Sequence, residues 1–117
     1  MWSDPHDAAN IHEMHGVLAD IAALVRDQQR EAFLADISRP HALAMHFIRL
    51  GELANRISRT TWSEHPDIAW QKMANLRHLI AHEYRVIDHG ELWTIATVHA
   101  ARVSKALPTP PPPGEIF

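Results

Sequence analysis

The sequence contains no cysteine, and it has only four glycines and one tyrosine among its 117 residues. Without cysteine the chain cannot form a disulfide, a thiolate zinc site or a cysteine nucleophile, and a reducing compartment such as the cytoplasm is the expected location. No stretch approaches the roughly 20 apolar residues that a membrane-spanning helix needs. The N-terminus also lacks the basic and then apolar layout of an export signal, so neither a membrane nor a secreted protein is predicted.

Charge is distributed unevenly along the chain. Eleven Lys and Arg against 14 Asp and Glu give a net charge of −3, so the molecule as a whole is not expected to attract nucleic acid. Residues 1–40 hold three basic and seven acidic side chains, a balance of −4, whereas residues 41–90 hold six basic and five acidic ones, a balance of +1. Any surface that binds phosphate is therefore expected in the middle of the chain.

Histidine is abundant, with ten residues, and this abundance raises the question of a metal site. His12 and His15 are three residues apart and His41 and His46 are five apart, so the sequence has no His-Glu-x-x-His zinc helix. The nearby acidic residues are not placed to supply a third ligand. Neither a metal ion nor another cofactor is predicted.

Apolar residues recur at steps of three and four, which is the period of amphipathic α-helices, and no segment alternates as a strand does. The prediction is an all-α protein, a four-helix up-and-down bundle formed by one domain, residues 1–107. Helices are expected at about residues 6–28 and 40–59, from Ala69 to near His82, and along the apolar series from Leu92 through His99 to Leu107. Five of the eight prolines lie in residues 108–117, a tail expected to be extended or disordered, either inert or a docking strip.

Single residues indicate where these helices begin and where they touch. Ser38 is predicted to cap the second helix, residues 60–66 to connect it with the third, and Asp88 to cap the fourth. Gly51 lies inside the second helix, where glycine costs about 1 kcal/mol relative to alanine. Such a glycine indicates a close contact with another helix.

A cluster of polar residues lies at the end of the third helix: Arg77, His78, His82 and Tyr84. An imidazole can act as a general acid or base near neutral pH, and a guanidinium supplies permanent positive charge for a phosphate. In a continuous helix Arg77 and His82 would lie about 140° apart around the axis, so they would not share a face. Either the helix ends after Ile80 and lets His82 turn, or a second subunit supplies the missing partner.

This pattern resembles the motif of HEPN-domain ribonucleases of the HepT type, with Arg77, His78, His82 and Tyr84 at the motif positions. The similarity covers roughly residues 40–107. Further positions that match are Gly51-Glu52, Ile68-Ala69-Trp70, Asp88 and Trp93. The sequence departs from the usual pattern where His78 replaces Asn, where Ala69 replaces Pro, and where residues 74–76 replace a Gly-Met approach to the arginine.

The resemblance implies a homodimeric, metal-independent endoribonuclease that acts as the toxin of a toxin–antitoxin system. Attack by the RNA 2′-OH needs a base, an acid and positive charge, and a symmetric dimer would bring two copies of Arg77 and His82 to one cleft. His78 is expected to support these catalytic groups. In similar systems the antitoxin, an MntA-type nucleotidyltransferase, transfers AMP to the tyrosine, here Tyr84, and the added bulk and charge beside Arg77 would exclude RNA.

Other interpretations stay open at this stage. Arg77 and His82 alone could be cations at a helix C-terminus, which the helix dipole favours by roughly 0.3 to 1 kcal/mol. A chain of this pattern could also be a non-catalytic subunit that docks on a nucleotidyltransferase and positions its substrate. Three arginines of the middle segment either follow an RNA backbone or belong to a solvated, salt-bridged stripe around Glu52: Arg49, Arg56 and Arg59.

Overall fold

The computed structural model describes residues 4–110. Within that range the backbone forms helices and contains no strand, which confirms the predicted all-α class. No helix of the described range is long and apolar enough to cross a membrane. Of the predicted proline-rich tail, residues 108–117, the part from 111 to 117 lies outside the described residues.

The helical elements follow one another along the chain. They are α1 (Pro5–Val25), α2 (Arg30–Ala35), α3 (Ser38–Arg56), α4 (Arg59–Glu64), α5 (Trp70–Glu83), α6 (His89–Thr94), a π-helical turn (Ile95–His99) and α7 (Ala100–Ala106).

The long elements form a bundle in which α3 is central. Helix α3 packs against α1 on one side and against α5 on the other, and α6, the π turn and α7 follow one another as a continuous helical stretch that also contacts α1. The apolar stripes predicted for the first two long helices are buried as expected, which confirms the helical bundle. They are Ile11, Met14, Leu18, Ile21 and Val25 from α1, and Leu43, Phe47, Leu50 and Ala54 from α3, followed by Ile57.

One short helix and one cap differ from the sequence prediction. Helix α4 occupies most of the segment predicted as a simple connection, because Ser58 Oγ accepts a hydrogen bond from the Thr61 N–H at 3.3 Å and starts a helical turn there. Ser38 is the first residue of α3 rather than its cap. The residue before α3 is Ile37, and the Ser38 N–H donates to Oδ1 of Asp36, the residue that ends α2, at 2.9 Å. Asp88 caps α6 as predicted, with Oδ1 2.9 Å from the Gly90 nitrogen.

A buried carboxylate joins α1 to α4. Asp7 is fully buried, and it accepts hydrogen bonds from the Ser58 backbone N–H at 3.0 Å, the Ser58 hydroxyl at 2.6 Å and the Thr61 hydroxyl at 2.6 Å. A buried carboxylate is tolerated when its oxygens are satisfied in this way. The contact fixes α4 against the start of α1, and α4 leads directly into the segment from which α5 begins.

The π turn changes which residues of the last helix face the core. Leu92, Ala96 and Ala100 are buried at steps of four, and in a regular α-helix each such step would rotate the side chain by about 40°. A π turn holds more residues per turn and keeps the three on one side. The prediction that His99 belongs to the buried stripe is wrong for this reason, because His99 is exposed and Ala100 takes the core position.

Candidate active site

Gly51 is the point at which α3 and α5 approach each other closely. A Cβ atom placed on Gly51 would lie 2.8 Å from the backbone nitrogen of Arg77 and 2.9 Å from the carbonyl oxygen of Met73. Both are backbone atoms, so neither can move aside as a flexible side chain could. The predicted close helix contact is confirmed, and it sets the backbone of Arg77 directly against α3.

Arg77 extends from this crossing toward solvent, with 63% of its side chain exposed. Its Nε lies 3.6 Å from Glu52 Oε1, which is a charge contact longer than a hydrogen bond. Arg77 makes no hydrogen bond to another side chain or carbonyl of residues 4–110. The guanidinium therefore keeps its planar set of donors for an external anion such as a phosphate.

A cleft of about 490 Å³ opens beside Arg77 between α3 and α5. Among the described residues that line the cleft, Glu52 is the only acidic one. Its Oε2 also lies 3.5 Å from Arg49 Nη1. Two arginines flank that one acid, so the cleft suits an anionic ligand better than a cation. The polar side chains that line it are Glu52, Asn55, Arg56, Gln71, Asn75, Arg77 and His78.

Helix α5 remains helical through Glu83, so it does not end after Ile80 as one interpretation of the sequence required. That interpretation is wrong because the segment holds no glycine or proline that would break the helix. Arg77 lines the cleft, whereas His82 lines a separate cavity of about 280 Å³ formed by residues 81–86. One chain by itself does not bring Arg77 and His82 into a common cavity.

His78 lies in the cleft of Arg77, and its ring contacts that of His82. It lines the cleft beside Arg77, and its ring centroid lies 4.3 Å from that of His82, with the ring planes 44° apart. The two histidines are one turn apart on the same face of α5, and both are exposed. The supporting role of His78 stays a prediction.

Tyr84 follows α5 and belongs to the cavity of His82 rather than to the cleft of Arg77. Its ring centroid lies 5.0 Å from that of His41 on α3. The hydroxyl is buried and has no hydrogen-bond partner among the described residues. Burial raises the pKa of the Tyr84 hydroxyl above its usual value of 10.0, so the group is a neutral phenol near neutral pH.

Two of the three arginines predicted to bind RNA are held by other groups. Arg49 Nη2 lies 2.7 Å from Glu13 and Nη1 lies 3.5 Å from Glu52, so Arg49 belongs to the salt-bridged stripe that the sequence also allowed. The guanidinium of Arg59 lies 3.7 Å from the ring centroid of Trp62 and stacks on it.

Arg56 differs from these two. It is exposed, it lines the cleft together with Arg77, and it forms no ion pair within residues 4–110. Of the three arginines predicted to contact RNA, Arg56 is the one that the fold places beside Arg77.

The histidines do not gather around a metal position in the described part of the chain. Residues 4–110 contain no group of three or more His, Asp or Glu side chains that could hold a metal ion. His15 is engaged elsewhere, since its Nε2 lies 2.9 Å from the carbonyl oxygen of Pro108 and donates to it.

The sequence analysis missed the amide side chains of the cleft, Asn55, Gln71 and Asn75. Gln71 Nε2 donates a hydrogen bond to Asn75 Oδ1 at 2.9 Å. The signal was present in the spacing, because residues 71, 75, 78 and 82 follow one another at steps of four, three and four. Such steps place four polar side chains on one face of α5, opposite the buried face.

Comparison with known proteins shows the family of the chain. The model of the Ribonuclease HepT-like family matches residues 14–109. Two proteins of Methanocaldococcus jannaschii are similar: "Putative RNase MJ1380" is 23% identical over 86 residues, which are 74% of this chain and 79% of that protein, and "Putative RNase MJ0125" is 21% identical over 97 residues, which are 83% and 84%. No solved structure matches the chain. Because the family model spans most of the sequence and both cavities, the chain belongs to the HepT-like ribonuclease family.

Proposed function

We propose that the protein is a metal-independent endoribonuclease whose active site is completed by a second copy of the chain. The observation that carries this proposal is the exposed guanidinium of Arg77, which opens onto the cleft without a hydrogen-bonded partner in the described chain. His82 lies in the next cavity along α5, and its ring contacts that of His78. The guanidinium of Arg77 and the imidazole of His82 are therefore both accessible, but in one chain they lie in different cavities.

A dimer supplies the groups that one chain lacks. In the proposed reaction, one His82 takes the proton of the 2′-OH, and the 2′-oxygen attacks the adjacent phosphorus. The second His82 gives a proton to the departing 5′-oxygen, while Arg77 donates hydrogen bonds to the phosphate oxygens as their charge increases. The products are a 2′,3′-cyclic phosphate and a 5′-hydroxyl. Val86, an apolar residue of the His82 cavity that is 80% exposed, would contribute a surface for the second copy to cover.

The test is cleavage of single-stranded RNA by the purified protein with and without a chelator. We expect the same rate in both conditions and products that end in cyclic phosphate and 5′-hydroxyl, because no metal ion takes part in the step. Arg77→Ala should reduce the rate roughly 100-fold by removing transition-state hydrogen bonds. Activity lost with the chelator would contradict the mechanism, and equal inactivity of wild type and variant would favour the non-catalytic binding subunit.

We further propose that the nuclease is the toxin of a toxin–antitoxin pair and is silenced by AMP transfer to Tyr84 from an MntA-type nucleotidyltransferase. The tyrosine oxygen would attack the α-phosphorus of ATP, pyrophosphate would leave, and the phenol proton would pass to a base. Burial raises the pKa of Tyr84, so the proton needs a base to remove it, and in this proposal the nucleotidyltransferase supplies that base. The buried hydroxyl also requires the turn at residues 84–88 to open and separate Tyr84 from His41.

Incubation with the nucleotidyltransferase and ATP should add the mass of one or more AMP units and stop RNA cleavage. The adduct is expected beside His82, where Tyr84 lies, and it would occupy the cavity that the imidazole needs. Intact-mass measurement before and after incubation checks the modification. Tyr84 is the only tyrosine, so Tyr84→Phe removes every phenol from the chain and should stay unmodified. A Tyr84→Phe variant that gains AMP as fast as wild type would exclude this residue as the target.

A further inference from the structure

One face of α5 carries a continuous series of exposed polar side chains that the proposed mechanism uses only in part. Gln71, Asn75, His78 and His82 lie on this face, and of these four the steps of the proposed reaction use only His82. Seven residues of helix separate Asn75 from His82, which corresponds to about 10 Å along the axis. A ligand that reaches from the histidines along this face therefore meets the amide pair next.

The hydrogen bond within the amide pair fixes what each amide can still offer. Gln71 Nε2 donates to Asn75 Oδ1 at 2.9 Å. An amide NH₂ has two protons and an amide oxygen has two lone pairs, so after this bond Gln71 keeps Oε1 and one N–H, and Asn75 keeps Nδ2 and one lone pair of Oδ1. These groups have no other partner within residues 4–110. The pair thus presents uncharged acceptors and donors side by side.

The charges of the cleft lie on its other residues. Arg56 and Arg77 line the same cleft as the amides, and its carboxylate, Glu52, is flanked by Arg49 and Arg77. A phosphate is attracted to the arginines, whereas the edge of a base is matched by the amides. The cleft volume of about 490 Å³ lies within the range of small-molecule sites.

We infer that the Gln71–Asn75 pair reads a nucleobase of single-stranded RNA, and that this base is adenine. The adenine amino group would donate to Asn75 Oδ1 and a ring nitrogen would accept from Asn75 Nδ2, which is the two-bond pairing that one asparagine or glutamine amide makes with adenine. The hydrogen bond from Gln71 Nε2 would hold the Asn75 amide in place for this contact. The strand must be single, because base edges in an RNA duplex are not open to such contacts. The inference rests on the proposed ribonuclease function and specifies part of its substrate.

The experiment measures binding, so that it does not depend on cleavage. Oligonucleotides of 2′-fluoro RNA lack the attacking hydroxyl, and a uridine background with one central A, C, G or U isolates the effect of a single base. In fluorescence anisotropy we expect the wild-type protein to bind the adenine oligonucleotide roughly tenfold more tightly than the all-uridine one. The double variant Gln71→Ala, Asn75→Ala should bring that ratio close to one.

The matched control is Lys72→Ala, an exposed residue of the same helix that does not line the cleft. This variant is expected to weaken the binding of all four oligonucleotides by a similar factor and to leave the ratio of their affinities unchanged. Because Gln71 and Asn75 are exposed and alanine favours helix, the double variant should keep its melting temperature.

The outcomes separate this inference from the proposed nuclease. An adenine preference that persists in the double variant, or no preference in the wild type, overturns base reading by the amide pair. A preference for another base overturns the assignment of adenine. If the adenine preference is present and disappears in the double variant while natural RNA stays uncut, base reading holds and the nuclease proposal fails. If natural RNA is cut but the wild-type protein shows no base preference, the nuclease proposal holds and base reading fails.

Discussion

Mixing His82→Ala chains into wild-type protein will reduce RNA cleavage more steeply than the wild-type content falls. The variant alone should lose activity by about 10²- to 10⁴-fold, because it lacks the proton donor and acceptor of the proposed reaction. In an equal mixture that has exchanged subunits, only about a quarter of the dimers carry two wild-type chains, and the cleavage rate should fall to about a quarter. The measurement is the initial rate at fixed total protein over a series of mixing ratios.

The reason for this steep fall is that the proposed reaction uses both copies of His82 in one cleft, one as the base and the other as the acid. If one His82 were enough, the same equal mixture would keep about half of the activity, and a straight line through the mixing series would contradict a site that needs both histidines. His99→Ala is the matched control, because His99 is another exposed histidine, and it lies on the π turn outside both cavities of the site. Mixtures with that variant should keep full activity, and light scattering should show dimers throughout.

Gly51→Ala should destabilise the protein and also impair catalysis. The new Cβ would meet the Arg77 nitrogen at 2.8 Å and the Met73 oxygen at 2.9 Å, so α3 and α5 would have to move apart. Forcing two packed helices apart costs typically about 1–3 kcal/mol of folding free energy. Alanine is better than glycine in a helix by about 1 kcal/mol, and this gain offsets only part of a packing cost in the upper part of that range. The displacement would also shift Arg77, and misplacement of a catalytic group by about 1 Å can cost on the order of 100-fold in rate.

Urea unfolding and RNA cleavage measured on the same preparations check this prediction. Gly16→Ala is the matched control, because Gly16 also lies inside a helix but a Cβ added there meets nothing within 4 Å. That variant should gain up to about 1 kcal/mol in the free energy of unfolding and keep its activity. A Gly51→Ala protein that is as stable as Gly16→Ala would show that the helix crossing tolerates a methyl group.

The long helices were predictable because each carries a regular apolar stripe, and burial of that stripe decides the fold. The stripe from Ile11 to Val25 and the one from Leu43 to Ile57 are both buried as the spacing indicated. The close approach at Gly51 was predictable for a related reason, since glycine inside a helix is unfavourable unless a contact needs it.

The remaining differences come from contacts between segments that are distant in sequence. The helix at 59–64 depends partly on the carboxylate of Asp7, and no local pattern near residue 60 reveals that partner. The exposed position of His99 follows from a π turn, which breaks the period on which the prediction relied. The motif residues Arg77 and His82 could be named from sequence, but their separation into two cavities required the full course of α5.

The anchoring of Asp7 gives the beginning of the chain an influence on residues far from it. Ser58 and Thr61 take their acceptor from a position 51 and 54 residues earlier, within the first turns of α1. A shortened chain that begins after residue 7 would leave two hydroxyls and one amide without that acceptor, just upstream of the helix that carries Arg77. Expression tags should therefore be joined ahead of this turn instead of replacing it, since removal of residues 1–7 would loosen the scaffold behind α5.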